Sequence, residues 1–189
     1  MNEVFKKIGL FFLDIIQTIV LALSIFVVSY LFLFAPHEVR GTSMYPNFHD
    51  SDFLLTDKIS YRFSEPQRGD VVIFKAPPSE PCSEQECEYI KRVIGLPGEK
   101  VKVSSGQVFI NDQALKESYL PPGLYTRGGS YLSEGRTIQL GVGEYSVMGD
   151  NRPSSRDGRE FGPIQRQSII GKAWVRYWPL SQFGFIKRS

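Results

Sequence analysis

The sequence predicts a mainly β fold, a barrel-like or sandwich domain standing behind a single amino-terminal transmembrane helix. Three observations predict it. Residues 15–35 form a run of 21 residues without a formal charge. Beyond Pro36 the helical period of apolar residues disappears, and short runs rich in Val, Ile, Phe and Tyr replace it. Clusters of Gly, Pro, Asn and Asp, drawn from 17 Gly and 12 Pro in all, punctuate those runs as turns do.

The uncharged run comes first. As a helix it is about 31 Å long, which matches a hydrocarbon core of about 30 Å. Lys6 and Lys7 precede it, as in a cleavable leader. A leader's apolar stretch is shorter and ends in a small-x-small site. Here the end reads Phe32-Leu33-Phe34-Ala35-Pro36, with large side chains where small ones are required. The run therefore reads as a retained anchor. Lys6 and Lys7 on one side, against Arg40 alone before Lys58 on the other, favour a cytoplasmic amino terminus. Residues 1–36 are then a short tail and anchor crossing a plasma membrane once. Residues 37–189 form an extracytoplasmic domain.

Candidate strands follow at 52–56, 70–75, 88–94, 100–103, 107–110, 137–140, 144–148 and 169–178. Short strands in such number suit a barrel or sandwich. Residues 111–136 are poor in strand signal and rich in Gly, Pro and Ser, which places an inserted loop or small cap around 104–145. The net charge of +2 comes from scattered Lys and Arg, not from the strongly basic face of a nucleic-acid binder. His37, His49, Cys82 and Cys87 are the whole His and Cys complement and are not spaced as metal ligands, so no metal and no other cofactor is expected. Outside the cytoplasm Cys82 and Cys87 would oxidise to a disulfide; otherwise they are two free thiols in a solvated acidic loop.

Three segments hold candidate chemistry. In Gly41-Thr42-Ser43-Met44-Tyr45-Pro46 a permissive Gly and a stiff Pro flank a Ser, which can hold its hydroxyl exposed on a tight turn. Ser43 lies eight residues beyond Ala35, a reach of at most about 28 Å, so it stays near the membrane surface. Met44, Tyr45, Phe48 and Phe53 around it form either an apolar patch or part of the core. In Tyr89-Ile90-Lys91-Arg92-Val93-Ile94-Gly95-Leu96-Pro97-Gly98, a strand puts Tyr89, Lys91 and Val93 on one face. Desolvation there would lower the lysine pKa, and only a depressed lysine can accept a proton near neutrality. The third segment, Gly149-Asp150-Asn151-Arg152-Pro153-Ser154-Ser155-Arg156-Asp157-Gly158-Arg159, can rigidify itself by pairing its Asp with its Arg.

In this order and behind a membrane span, the three segments resemble type I signal peptidases. The matching positions are Gly41, Ser43, Met44 and Pro46; Arg68-Gly69-Asp70 and Tyr89 through Gly98; then Gly149 to Arg152, Ser155, Asp157 and Arg159. The resemblance extends to Gly171 through Trp174. It implies a β-rich catalytic domain outside the cytoplasm that removes signal peptides from exported preproteins after a small-x-small sequence. Lipid bilayer and preprotein are then its partners, and nucleic acid is not. It also implies that Ser43 attacks, Lys91 is the base, Ser155 orients the lysine amine, and Asp157 with Arg159 and Asp150 with Arg92 support the site. Gly41, Met44 and Pro46 shape the nucleophile turn.

Three positions depart from the family pattern. Gly41 stands where some members carry a serine that helps bind the oxyanion, so backbone N–H groups, that of Ser43 among them, must do so. Asn47 replaces the usual Thr, and Gly158 the usual Ser. A serine–lysine pair is a known variant of serine-protease logic and needs no histidine. A relative dedicated to one substrate, such as a pilin or a conjugation protein, would carry the same motifs. A silent membrane-tethered scaffold would have lost Ser43 or Lys91, and both are present. A Ser-His-Asp site using His49 has no supporting spacing.

Overall fold

A computed structural model describes residues 2–81 and 87–188. Helix α1, Asn2–Phe32, carries the apolar run. Its stretch Phe5–Tyr30 reaches mean hydropathy 2.4 over a window of 18 residues, none of them buried, as suits an anchor helix standing clear of the domain. The helix stops at Phe32, three residues before the uncharged run does. Phe34–Glu38 is instead a strand, β1, laddered onto β2, Phe53–Asp57. Hydropathy alone cannot separate these two apolar stretches, since Phe34 and Ala35 suit a helix and a strand face equally.

The remaining elements are short. After α2, Ser60–Phe63, come β3, Val71–Lys75, β4, Glu88–Gly95, β5, Lys100–Ser104, and β6, Gln107–Ile110. Then follow β7, Gln113–Ala114, β8, Thr137–Gln139, β9, Glu144–Met148, and α3, Gly158–Phe161. The chain ends with β10, Ile164–Gln165, β11, Ile169–Trp178, and β12, Gly184–Phe185. The larger sheet runs β1-β2-β11-β3-β4-β9-β10, with β12 paired to β11, and all its ladders are antiparallel.

That sheet curls. Five flat strands would hold β1 and β4 about 19 Å apart. Yet His37 on β1 and Glu88 on β4 touch at 2.9 Å. Register shifts within β11 and between β4 and β9 mark where the sheet bends. The barrel expected from the sequence is therefore left open. Among the described residues the outer edge of β1 has no ladder, and β4 pairs with β9 only from Arg92 onward. Between those two free edges lies a cleft.

Strand β3 shows why the sheet is stable despite that opening. Val71 and Ile73 point into a cluster with Val39, Met44, Phe48, Leu54, Ile90 and Ala173. Val72 and Phe74 point the other way, to Tyr61, Val93, Tyr145, Val147, Ile164 and Ile169. Both faces are covered, so the strand reads as an unbroken apolar run. The second sheet, β7-β6-β5-β8, closes over a third cluster of Val101, Val103, Val108, Leu132, Ile138 and Leu140, which Ile94 and Met148 join to the larger sheet. Its two hairpin turns have paired positive φ, at Ser105 (51°) and Gly106 (80°) and at Asn111 (49°) and Asp112 (66°). That conformation matches the right-handed twist of the strands it joins.

Candidate active site

The nucleophile turn is held at three points. Gly41 takes φ +83°, a left-handed conformation that favours glycine, and donates its N–H to Asp50 Oδ1 at 2.6 Å. Met44 is fully buried in the core and pins the turn from below. Asn151 ties it from the side, its N–H reaching Ser43 O at 2.9 Å and its Nδ2 reaching Thr42 O at 3.0 Å. The Tyr45–Pro46 peptide is cis. Thus Met44 and Phe48 belong to the core rather than to a surface patch; of that group only Tyr45 is largely exposed.

Strand β4 brings the lysine to this turn. Lys91 is buried, and its Nζ donates to Ser43 Oγ at 2.8 Å and to Ile90 O at 3.0 Å. It lies 5.3 Å from the Tyr89 ring centroid. Burial lowers its pKa to about 8, although Asp157, Asp150 and Glu80 pull the other way. The Ser43 backbone N–H makes no hydrogen bond among the described residues and is open to an acceptor.

Two buried ion pairs brace the third loop. Arg92 grips Asp150 with two bonds, of 2.8 and 2.6 Å, and a third reaches Gly69 O at 2.9 Å. Tyr119 stacks over its guanidinium at 4.1 Å. Arg159 holds Asp157 at 2.8 Å through both Nε and Nη2. Burial alone would raise the Asp157 carboxyl, but the Arg159 bonds and charge and the Gly149 N–H outweigh it and hold it low. Such pairs cost desolvation, and losing one partner strands a buried charge. Their use here is to fix a loop of 11 residues against β4.

Ser155 differs from what the resemblance implies. Its Oγ is buried beside the Asp157 carboxyl and closes no hydrogen bond of good geometry among the described residues, to Lys91 or to any other group. Three positions that sequence reasoning did not single out for the site do contribute. Asn47 bonds Asp150 Oδ2 at 2.8 Å and Tyr119 O at 2.9 Å, so the residue in place of the usual Thr braces the same carboxylate. Glu80, almost wholly buried, accepts from Arg156 Nε at 2.6 Å and Tyr89 Oη at 3.3 Å and adds its charge to the field at Lys91. His37 lies in the cleft wall. Only Asn47, as a departure from the family pattern, left a sequence signal. His49 packs edge-on against Tyr45 at 5.3 Å and does not bond Ser43. Cys87 is in a disulfide, while Cys82 lies outside the described residues. Among the described residues no group of three or more His, Cys, Asp or Glu could hold a metal ion.

Ser43 and Lys91 open into a cleft of about 560 Å³, lined on one side by Pro36, His37 and Glu38 and on the other by Glu88, Tyr89 and Ile90. Chemically this is a hydroxyl in contact with a depressed amine, beside an open backbone donor, in a groove between two strand edges that are unpaired there among the described residues.

Comparison with known proteins bears on what that groove receives. Residues 12–178 match a family model described as signal peptidase, peptidase S26. The chain is 39% identical over 188 residues to signal peptidase I of Leptolyngbya laminosa, covering 96% of this chain and 82% of that one. It is 33% identical over 175 residues to the probable signal peptidase I-2 of Synechocystis sp., covering 92% and 77%. It is 31% identical over 184 residues to signal peptidase IB of Staphylococcus aureus, covering 92% and 93%.

Proposed function

The chain belongs to the signal peptidase family, peptidase S26, and is a serine endopeptidase; from that premise we propose that it cleaves signal peptides through a Ser43–Lys91 dyad and an acyl-enzyme. The observation that carries this reading is the 2.8 Å contact between Lys91 Nζ and Ser43 Oγ.

A neutral Lys91 amine takes the Ser43 proton as Oγ attacks the scissile carbonyl. The resulting oxyanion is bound by the Ser43 N–H, which needs no reorganisation because it has no other partner among the described residues. The Lys91 ammonium then protonates the leaving amine. Water enters, the amine again takes a proton, and the acyl bond is hydrolysed. The nearby carboxylates of Asp157, Asp150 and Glu80 stabilise the ammonium in each half of the cycle. Ser155 would orient the amine only after its hydroxyl turns, since the two share no hydrogen bond as they stand.

The substrate's seat follows from the open barrel. An extended peptide can add to a free strand edge through main-chain hydrogen bonds, and here two free edges face each other. We read the preprotein segment, with its small-x-small sequence, as the strand that fills the gap. The amino terminus lies in the cytoplasm and the domain outside it. An aromatic ridge that starts at the end of α1 rests on lipid: Phe34 stacks on Trp174 at 5.2 Å, and Trp174 meets Phe185 at 5.6 Å. Trp178, Leu180 and Phe183, between Trp174 and Phe185 in the chain, are all exposed as well.

The test is preprotein cleavage in detergent by wild type, Ser43→Ala and Lys91→Ala. Each variant should lose activity, and the double variant should be no worse than either, because the two side chains act as a unit. A fully active Lys91→Ala would sink the dyad.

A further inference from the structure

The gap between β1 and β4 is crossed by side chains. His37 Nε2 and Glu88 Oε2 are 2.9 Å apart. The other ring nitrogen, Nδ1, lies 2.8 Å from Thr56 Oγ1 and 3.2 Å from Ala35 O. Thr56 is fully buried on β2, so the imidazole is held at both nitrogens. Glu88 has no second side-chain partner among the described residues, and its side chain is 41% exposed against 16% for His37. Both residues line the cleft that holds Ser43 and Lys91. The cleft's other charged groups are engaged elsewhere: Glu38 with Arg40 at 3.4 Å, Arg156 with Glu80, and Lys91 with Ser43.

An inserted strand needs about 9.6 Å between its neighbours, two strand spacings, and its backbone lies where such a bridge passes. We propose that His37 and Glu88 form a clasp across the substrate gap, which a peptide must open before it reaches Ser43. The inference rests on reading the gap as the peptide's seat. Glu88 is the moving half, being more exposed and singly held, while His37 is the fixed half. Every extended substrate bears the cost of opening, so the clasp weakens binding without touching the chemical step. It also keeps two bare strand edges from pairing with chains that are not substrates.

The experiment uses the full chain in detergent and two substrates: a long signal-peptide analogue that spans the gap, and a single-residue ester that does not. Glu88→Ala should lower KM for the long peptide about three- to tenfold, with kcat changed less than twofold, and the fall in KM should be absent with the ester. His37→Asn keeps a group beside Thr56 but is too short to reach Glu88, so it should give the same split even if Glu88→Ala folds poorly. An unchanged or raised KM for the long peptide in both variants would overturn the clasp. If wild type cleaves neither substrate, the peptidase reading itself fails, which is a different result from cleavage that ignores both substitutions.

Discussion

At Lys91 burial and charge pull in opposite directions. Burial drives the pKa down to about 8, and the carboxylates of Asp157, Asp150 and Glu80 limit the fall. For a base that must be neutral, kcat/KM should rise about tenfold per pH unit below pH 8 and level off above it. Glu80→Gln removes one of the opposing charges and should move the midpoint of that profile to lower pH; an unmoved midpoint would remove Glu80 from the field at Lys91. The same shift sets stability. The folded pKa lies below the unfolded value of 10.5, so between about 8 and 10.5 the unfolded chain holds more protons and stability rises with pH. Below pH 8 the fold bears the whole cost of a buried ammonium, about 3 kcal/mol by the size of the shift. Lys91→Met should therefore be inactive, more stable than wild type at neutral pH, and flat in stability from pH 8 to 10.5. Denaturant unfolding across pH decides it, and a Met variant that is less stable with the wild-type slope would mark Lys91 as an ordinary lysine. Ser43 and Lys91, which the fold brings into contact, were legible in the sequence as a candidate pair because each sits in a contiguous motif. Glu80 and Asn47 were not legible as site residues, because their partners Arg156 and Asp150 lie 76 and 103 positions away.

The nucleophile turn and the 149–152 loop behave as one element, joined through Asn151 and packed without slack. A Cβ on Gly149 would lie 2.1 Å from Ser155 Oγ and 2.4 Å from Ser43 O. Gly149→Ala must therefore push the Ser43 backbone aside. A displacement of about 1 Å at a reacting atom can cost about a hundredfold in rate. Overpacking of this kind costs about 1–3 kcal/mol in stability. Steady-state kinetics should show a fall in kcat much larger than any thermal destabilisation accounts for; unaltered kcat would mean that the loop relaxes freely. Of the strands, the eight with a clear alternation or apolar run were legible in the sequence to within a residue or so. Strand β1 was hidden by its apolar continuity with α1, and β7, β10 and β12 have two residues each, too few to show a period. Met44 and Phe48 were ambiguous for a related reason: an apolar side chain in a turn reads alike whether it faces lipid or core.

Across the whole molecule, the anchor and the cleft share a boundary. Strand β1 is one wall of the cleft and begins at Phe34. Removing residues 1–32 should leave a domain that hydrolyses soluble peptide and still binds liposomes through Trp174, Trp178, Leu180, Phe183 and Phe185. Removing residues 1–36 takes away three of the five residues of that strand, Pro36 of the cleft lining among them, and should raise KM sharply. Co-sedimentation with vesicles and peptide kinetics on both truncations separate the two effects. A shorter domain with unchanged KM would show that β1 does not seat the peptide, and a longer one that ignores vesicles would show that the aromatic ridge does not meet lipid.

Only Leu33 separates the helix from β1, and Lys58 N–H closes on its carbonyl at 3.0 Å. The link is too short to act as a swivel. With α1 in a bilayer, Ser43 is therefore held at a set height above the lipid, and the protein becomes a depth gauge. It would select a bond in the preprotein partly by how far that bond stands from the end of the preprotein's own buried helix. A few Gly and Ser residues inserted after Leu33 would loosen the gauge, and cleavage would spread to neighbouring bonds that the rigid enzyme passes over.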